Sequence, residues 1–109
     1  IAESPKKIAN EAGFKLPDYD VVEQYDNMYR GASARSNYTW IVKLKEPLSE
    51  KDIRRFNRLV EKERLWTYDK KTHTYQYNQN PEDGPCITII VDVDKNQVRL
   101  EYMWWDWLS

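Results

Sequence analysis

Only 3 glycines, 1 cysteine and 1 histidine occur in the 109 residues. A lone Cys86 excludes an intramolecular disulfide and any zinc cage built on cysteine. A lone His73, with no HExxH pairing, leaves no recognisable catalytic metal site. Glycine is confined to Gly13, Gly31 and Gly84, so no glycine-rich loop can wrap a phosphate. An excess of one charge is missing too. The 17 Lys+Arg stand against 18 Asp+Glu, and the pI of about 5.9 is far from the basic balance of a nucleic-acid binder. No apolar run approaches the roughly 18 residues of a membrane-spanning helix. The expectations are therefore no metal, no cofactor, no catalytic residue, no nucleic-acid partner and no membrane span.

Aromatic side chains are plentiful at 14%, as 8 Tyr, 5 Trp and 2 Phe. Otherwise the balance of 40% hydrophobic and 32% charged residues is ordinary for a folded chain, and the length suits a single α+β domain over 1–109. Residues 4–12 read as a short helix, with Ser4 as N-cap, Pro5 in the first turn and Gly13 as a left-handed C-cap. Residues 19–30 read as a strand whose alternation is imperfect, and 31–36 as a turn. In the next strand Tyr38, Trp40, Val42 and Leu44 share one parity. Ser49 with Asp52 three positions on resembles a capping box, opening a helix whose apolar stripe is Ile53, Phe56, Leu59 and Val60.

The segments 65–68 and 73–77 flank a polar turn. After the loop 78–85, Ile87, Ile89, Val91 and Val93 alternate with polar and smaller residues, then Val98, Leu100, Tyr102 and Trp104 do the same beyond a turn at 94–96. The expected order is α-β-β-α-β-β-β. It gives a two-layer α+β sandwich, with two helices on one face of an antiparallel four- or five-stranded sheet. Tyr38, Trp40, Val42, Ile87, Ile89, Val91, Val98, Leu100 and Tyr102 would lie under the helices, with Trp104 in the same row. At ~2 kcal/mol per large buried side chain, they suffice for one modest core.

Charge is unevenly distributed. Residues 43–71 hold 10 basic and 6 acidic side chains, whereas 72–109 hold 2 and 6. On the second helix Lys51, Arg55, Arg58 and Lys62 fall on one side, a row relieved by Glu50 with Arg54 and Arg58 with Glu61. A solvated helix face explains such a row, and so does a surface that steers an acidic partner.

Other constellations are weaker. Asp92, Asp94 and Asn96 match the first positions of a calcium loop, but Gln97 and Met103 stand where glycine and glutamate are required, so the segment reads as a hairpin turn. A hydrolase would need His73, Cys86 and nearby acids to converge, and no motif brings them together. Glu82 and Asp83 sit in a polar loop and read as solvated. The aromatics are more informative: Trp66, Tyr68, Tyr75, Tyr77, Trp105 and Trp107 are not accounted for by the core row. They either pack under loops or against the chain end, or form a surface for a protein or glycan partner. Trp and Tyr suit such a surface because they combine apolar area with a polar tip.

The stretches Glu11-Ala-Gly13-Phe14-Lys-Leu-Pro17-Asp-Tyr19, Leu48-Ser-Glu50, Trp66-Thr-Tyr68 and Leu100-Glu-Tyr102-Met-Trp104 resemble uncharacterised small α+β domains of bacterial cell-envelope proteins and lipoproteins. That resemblance implies an exported protein, in the periplasm or at the cell surface, and brings no catalytic residues. The start at Ile1 agrees with an upstream signal segment removed from a precursor. The reading that follows is a non-enzymatic binding domain using a Tyr/Trp-rich sheet surface. The alternative is a small accessory subunit that grips an acidic partner through Lys51, Arg55, Arg58 and Lys62, and a small hydrolase comes last.

Overall fold

Ser4 and Gly13 bracket the first helix, α1 (Pro5–Glu11), as the sequence predicts. The computed structural model describes residues 4–29, 34–82 and 84–106, the side chains of 26–29, 34–36, 105 and 106 excepted. The Ser4 side chain accepts from the Lys7 amide. At the other end Gly13 adopts φ +82°, its amide donates to the Asn10 carbonyl, and the Phe14 amide donates to the Ala9 carbonyl at 2.9 Å. This pair of bonds is a Schellman cap, and only a residue without Cβ takes that φ freely. The cap turns the chain so that Phe14 and Leu16 enter the core while Lys15 stays exposed.

The remaining elements are β1 (Tyr19–Tyr29), β2 (Ala34–Leu44), α2 (Glu50–Lys62), β3 (Trp66–Asp69), β4 (Thr74–Gln79), β5 (Cys86–Asp92) and β6 (Gln97–Asp106). One six-stranded antiparallel sheet runs β1-β2-β6-β5-β4-β3. The α+β class stands, but the strand count rises from the four or five expected. Four strands rather than three follow α2, because β3 and β4 are separate members of the sheet: Trp66 opposes Tyr77, and Tyr77 in turn opposes Ile89. Strand β2 also starts at Ala34 rather than beyond Ser36, since β6 runs far enough to pair with it there. The rest of the predicted 31–36 turn lies outside the described residues.

The register sets the two faces, since residues directly opposite one another share a side. Trp40, Val42, Ile87, Ile89, Val91, Val98, Leu100 and Tyr102 are buried on one face, as the alternation predicts, and Tyr38 packs against them half-buried. Ile8 and Ala9 of α1 and Phe56 of α2 belong to the same buried cluster. Trp104 departs from the expectation at 39% exposed. Its row passes the end of β5, whose last partner on β6 is Met103, so among the described residues Trp104 is flanked only on the β2 side, by Ser36.

Strand β1 explains its own imperfect alternation. Val21 opposes Val42 but Glu23 opposes Ile41, so Val22 is the extra residue of a bulge. A bulge inverts the parity beyond it, which puts Tyr25 opposite Thr39 on the face away from the helices. Helix α2 begins with a complete capping box: Asp52 Oδ2 accepts from the Ser49 amide at 3.2 Å, and Ser49 Oγ accepts from the Asp52 amide at 3.1 Å. Its acidic first turn and Lys62 in its last turn both complement the helix dipole.

Candidate functional site: a cationic groove beside the second helix

The expected binding surface rests on the surplus aromatics, and the structure buries several of them. Trp66, Tyr75 and Tyr77 are not on an open sheet face. They are buried beneath the helices at 2%, 3% and 6% exposure. Phe14, Phe56, Trp66, Tyr75 and Tyr77 form one aromatic cluster. Phe56 stacks on Tyr75 at 4.9 Å between ring centres and touches Phe14 at 4.7 Å, while Trp66 meets Tyr77 at 5.2 Å. The Trp66 indole N–H donates to the Ala12 carbonyl at 2.9 Å, which ties the end of α1 to β3. The Tyr75 hydroxyl donates to Asn57 on α2, and the Tyr77 hydroxyl to Gln79. Burial, followed by the Tyr68 phenol, pushes the Tyr75 hydroxyl above its ordinary value. Burial, then Glu11 and Glu63, does the same to Tyr77.

These residues are core because the register of β3 on β4 on β5 carries the buried parity of Ile89 and Val91 outward to the sheet edge. Tyr68, on the same row at the edge, is 40% exposed and covers Tyr75. The Trp105 side chain and Trp107 lie outside the described residues. Trp104 sits on β6, three strands from Tyr68 on β3. Tyr25 faces the opposite side, so the exposed aromatics do not converge.

The acids and nucleophiles do not converge either. His73 Nδ1 lies 2.8 Å from Asp94 Oδ1 at the turn end of the sheet. Cys86 Sγ donates to Asn80 Oδ1 at 2.9 Å. Cys86 opens β5 while Thr74, next to His73, opposes Asp92 at its other end. Six strand residues separate those ends by ~20 Å, so a Cys86–His73 pair cannot form. Among the described residues no cluster of His, Cys, Asp and Glu could hold a metal ion. Among them, too, no helix is long and apolar enough to cross a membrane.

The basic row does converge, and on more than α2 alone. Three hollows of about 180, 160 and 170 Å³ adjoin along the seam between α2 and the turn after α1, and Gly13 and Leu59 line all three. Arg55, Arg58 and Lys62 line one hollow, and Lys15 meets Arg55 in the adjoining one. Phe14, Phe56 and Leu59 supply an apolar floor. Lys51 lies one turn toward the helix start, exposed and outside the lining.

The pairs expected to relieve this row are absent. Neither Glu50 with Arg54 nor Arg58 with Glu61 is among the ion pairs of the described residues. Lys15, Arg55, Arg58 and Lys62 likewise have no acidic partner among them. Asp52 lines the groove, but its carboxylate is engaged by Ser49 in the capping box. Glu63 lines the hollow of Arg58 and Lys62 as well, and with Glu11 it closes the far end beside Tyr77.

The alternation Phe14-Lys15-Leu16, with both neighbours bound for the core, was the one signal in the chain that Lys15 points outward. Its meeting with Arg55 depends on the Schellman turn at Gly13, which no local pattern around α2 contains. A fourth hollow of about 370 Å³, between Pro17 and Lys45, has Ser49 and Asp52 already committed to the cap. Compared with known proteins, the chain matches no family model, no curated protein and no solved structure.

Proposed function

We propose that this chain is a non-enzymatic interaction domain that holds an acidic protein segment in the groove between α2 and the turn after α1. One observation carries the reading: four cations with no ion-pair partner among the described residues line adjoining hollows with an apolar floor. Such a site attracts carboxylates by charge and retains an apolar neighbour by burial. Phe14 and Phe56 are fixed by their ring contacts, so the floor is formed before binding and little ordering cost is left. A domain of this kind serves as an accessory subunit that recruits its partner. The resemblance at 11–19 and 100–104 supports placing it in the bacterial envelope.

Each exposed ion pair contributes about 0.2–1 kcal/mol, so reversing two cations loses two attractions and adds two repulsions. The test is fluorescence anisotropy with a dye-labelled peptide of alternating Glu and Leu. The expected result is binding that weakens about tenfold or more in R55E/R58E and steeply with added salt. Equal binding by wild type and R55E/R58E would refute the assignment.

A further inference from the structure

Resting on that reading of the groove, we infer that its occupant is a second copy of this chain, which contributes the acidic edge strand β1. Strand β1 ends the sheet, so among the described residues one side of its backbone has no neighbouring strand. Between Tyr19 and Tyr29 it carries Asp20, Glu23 and Asp26 and no basic residue. Val21, Val22 and Tyr25 on the same stretch are each about half exposed, at 48%, 55% and 50%. An acidic segment with exposed apolar side chains is the chemical complement of a cationic groove with an apolar floor.

The local contacts of those acids are ones a partner displaces easily. Asp20 lies 3.9 Å from Lys45 with both side chains mostly exposed, and Glu23 accepts from the Tyr25 hydroxyl. The bulge at Val22 breaks the regular ladder of the edge and thereby disfavours simple strand addition along it. Two β1 edges facing each other would also set acid against acid. A contact from β1 to the groove has neither problem.

Within one molecule the contact cannot form. Strand β1 is held along β2 by antiparallel pairing from Tyr19 to Tyr29, so it cannot leave the sheet to enter its own groove. The association is therefore between molecules and joins two different surfaces, so each chain offers one donor strand and one acceptor groove.

The test is sedimentation equilibrium on the full chain at low salt with two variants, D20K/E23K and R55E/R58E. Wild type is expected to self-associate with a dissociation constant of about 10 µM to 1 mM, and to dissociate at about 0.5 M salt. Each variant alone is expected to be monomeric, since each lacks one half of the contact. Mixed in equal amounts they should associate again at low salt, because R55E/R58E keeps the native strand and D20K/E23K keeps the native groove. A wild-type monomer at about 1 mM, or a mixture no heavier than its separate parts, would overturn the inference. The peptide assay above separates the two claims. Peptide binding that is lost in R55E/R58E while wild type stays monomeric leaves the groove standing and removes the second copy as its occupant.

Discussion

Replacing Trp66 by Phe should be among the most damaging conservative changes in the molecule. Trp66 is 2% exposed, and its indole N–H is the buried donor to the Ala12 carbonyl at 2.9 Å. Phenylalanine keeps most of the ring but leaves that carbonyl without its donor, a cost of about 1–3 kcal/mol. The missing part of the indole opens a small void against Tyr77 and Phe56, which adds about 1 kcal/mol. The total is about 2–4 kcal/mol. At ~5 °C per kcal/mol for a chain of this length, the melting temperature should fall by ~10–20 °C. Urea unfolding followed by far-UV circular dichroism reads the loss directly as a lower midpoint. Y68F provides the control, because Tyr68 is 40% exposed and its change should stay within about 0.5 kcal/mol. If W66F matched Y68F, the indole would not be what fastens α1 to β3, and the placement of Gly13 over Leu59 would need another explanation.

Three further outcomes follow from the caps and the buried phenols. S49A removes the acceptor for the Asp52 amide and should cost about 1 kcal/mol in urea unfolding, while S49D should restore most of it. G13A meets no clash, since a Cβ there would lie 3.7 Å from a Leu59 methyl. The strain of φ +82° alone should therefore cost about 1–2 kcal/mol, and a cost below a few tenths would contradict the Schellman assignment. Tyr75 and Tyr77 hold their protons above the ordinary 10.0 when folded. Their contribution to stability is thus complete below about pH 10 and is lost as pH rises through the raised values. Urea midpoints measured from neutral to strongly alkaline pH should decline in that window. The decline should be shallower in Y75F/Y77F.

Much of the fold was legible in the sequence, and the reasons are local. Ser4 with Pro5, Gly13, and Ser49 with Asp52 each fix a helix end by chemistry confined to four residues. The strict alternation of 87–93 and 98–102 identified their buried rows, because a period of two admits only one choice of inner face. Strand β1 resisted the same reasoning, since the bulge at Val22 splits its alternation into two registers. Tyr75, Gln76 and Tyr77 alternate as well. Yet a tyrosine row serves a core or a surface equally well, and only pairing with Ile89 and Val91 decides between them. Trp104 misled for the opposite reason: its parity was right, but β5 beside it had ended. The basic row on α2 was visible from its spacing. The groove was not, because Lys15 and Gly13 come from a segment about 40 residues away and are brought there by the turn after α1.

The most direct test of the cationic groove is a backbone amide titration of the ¹⁵N-labelled chain with the Glu/Leu peptide at low salt. The account predicts that the largest shifts fall at Gly13, Lys15, Arg55, Arg58 and Leu59, and that they vanish in R55E/R58E. Shifts centred instead on Thr39, Ile41, Thr88 and Ile90 of the opposite sheet face, or no shifts at all, would contradict it.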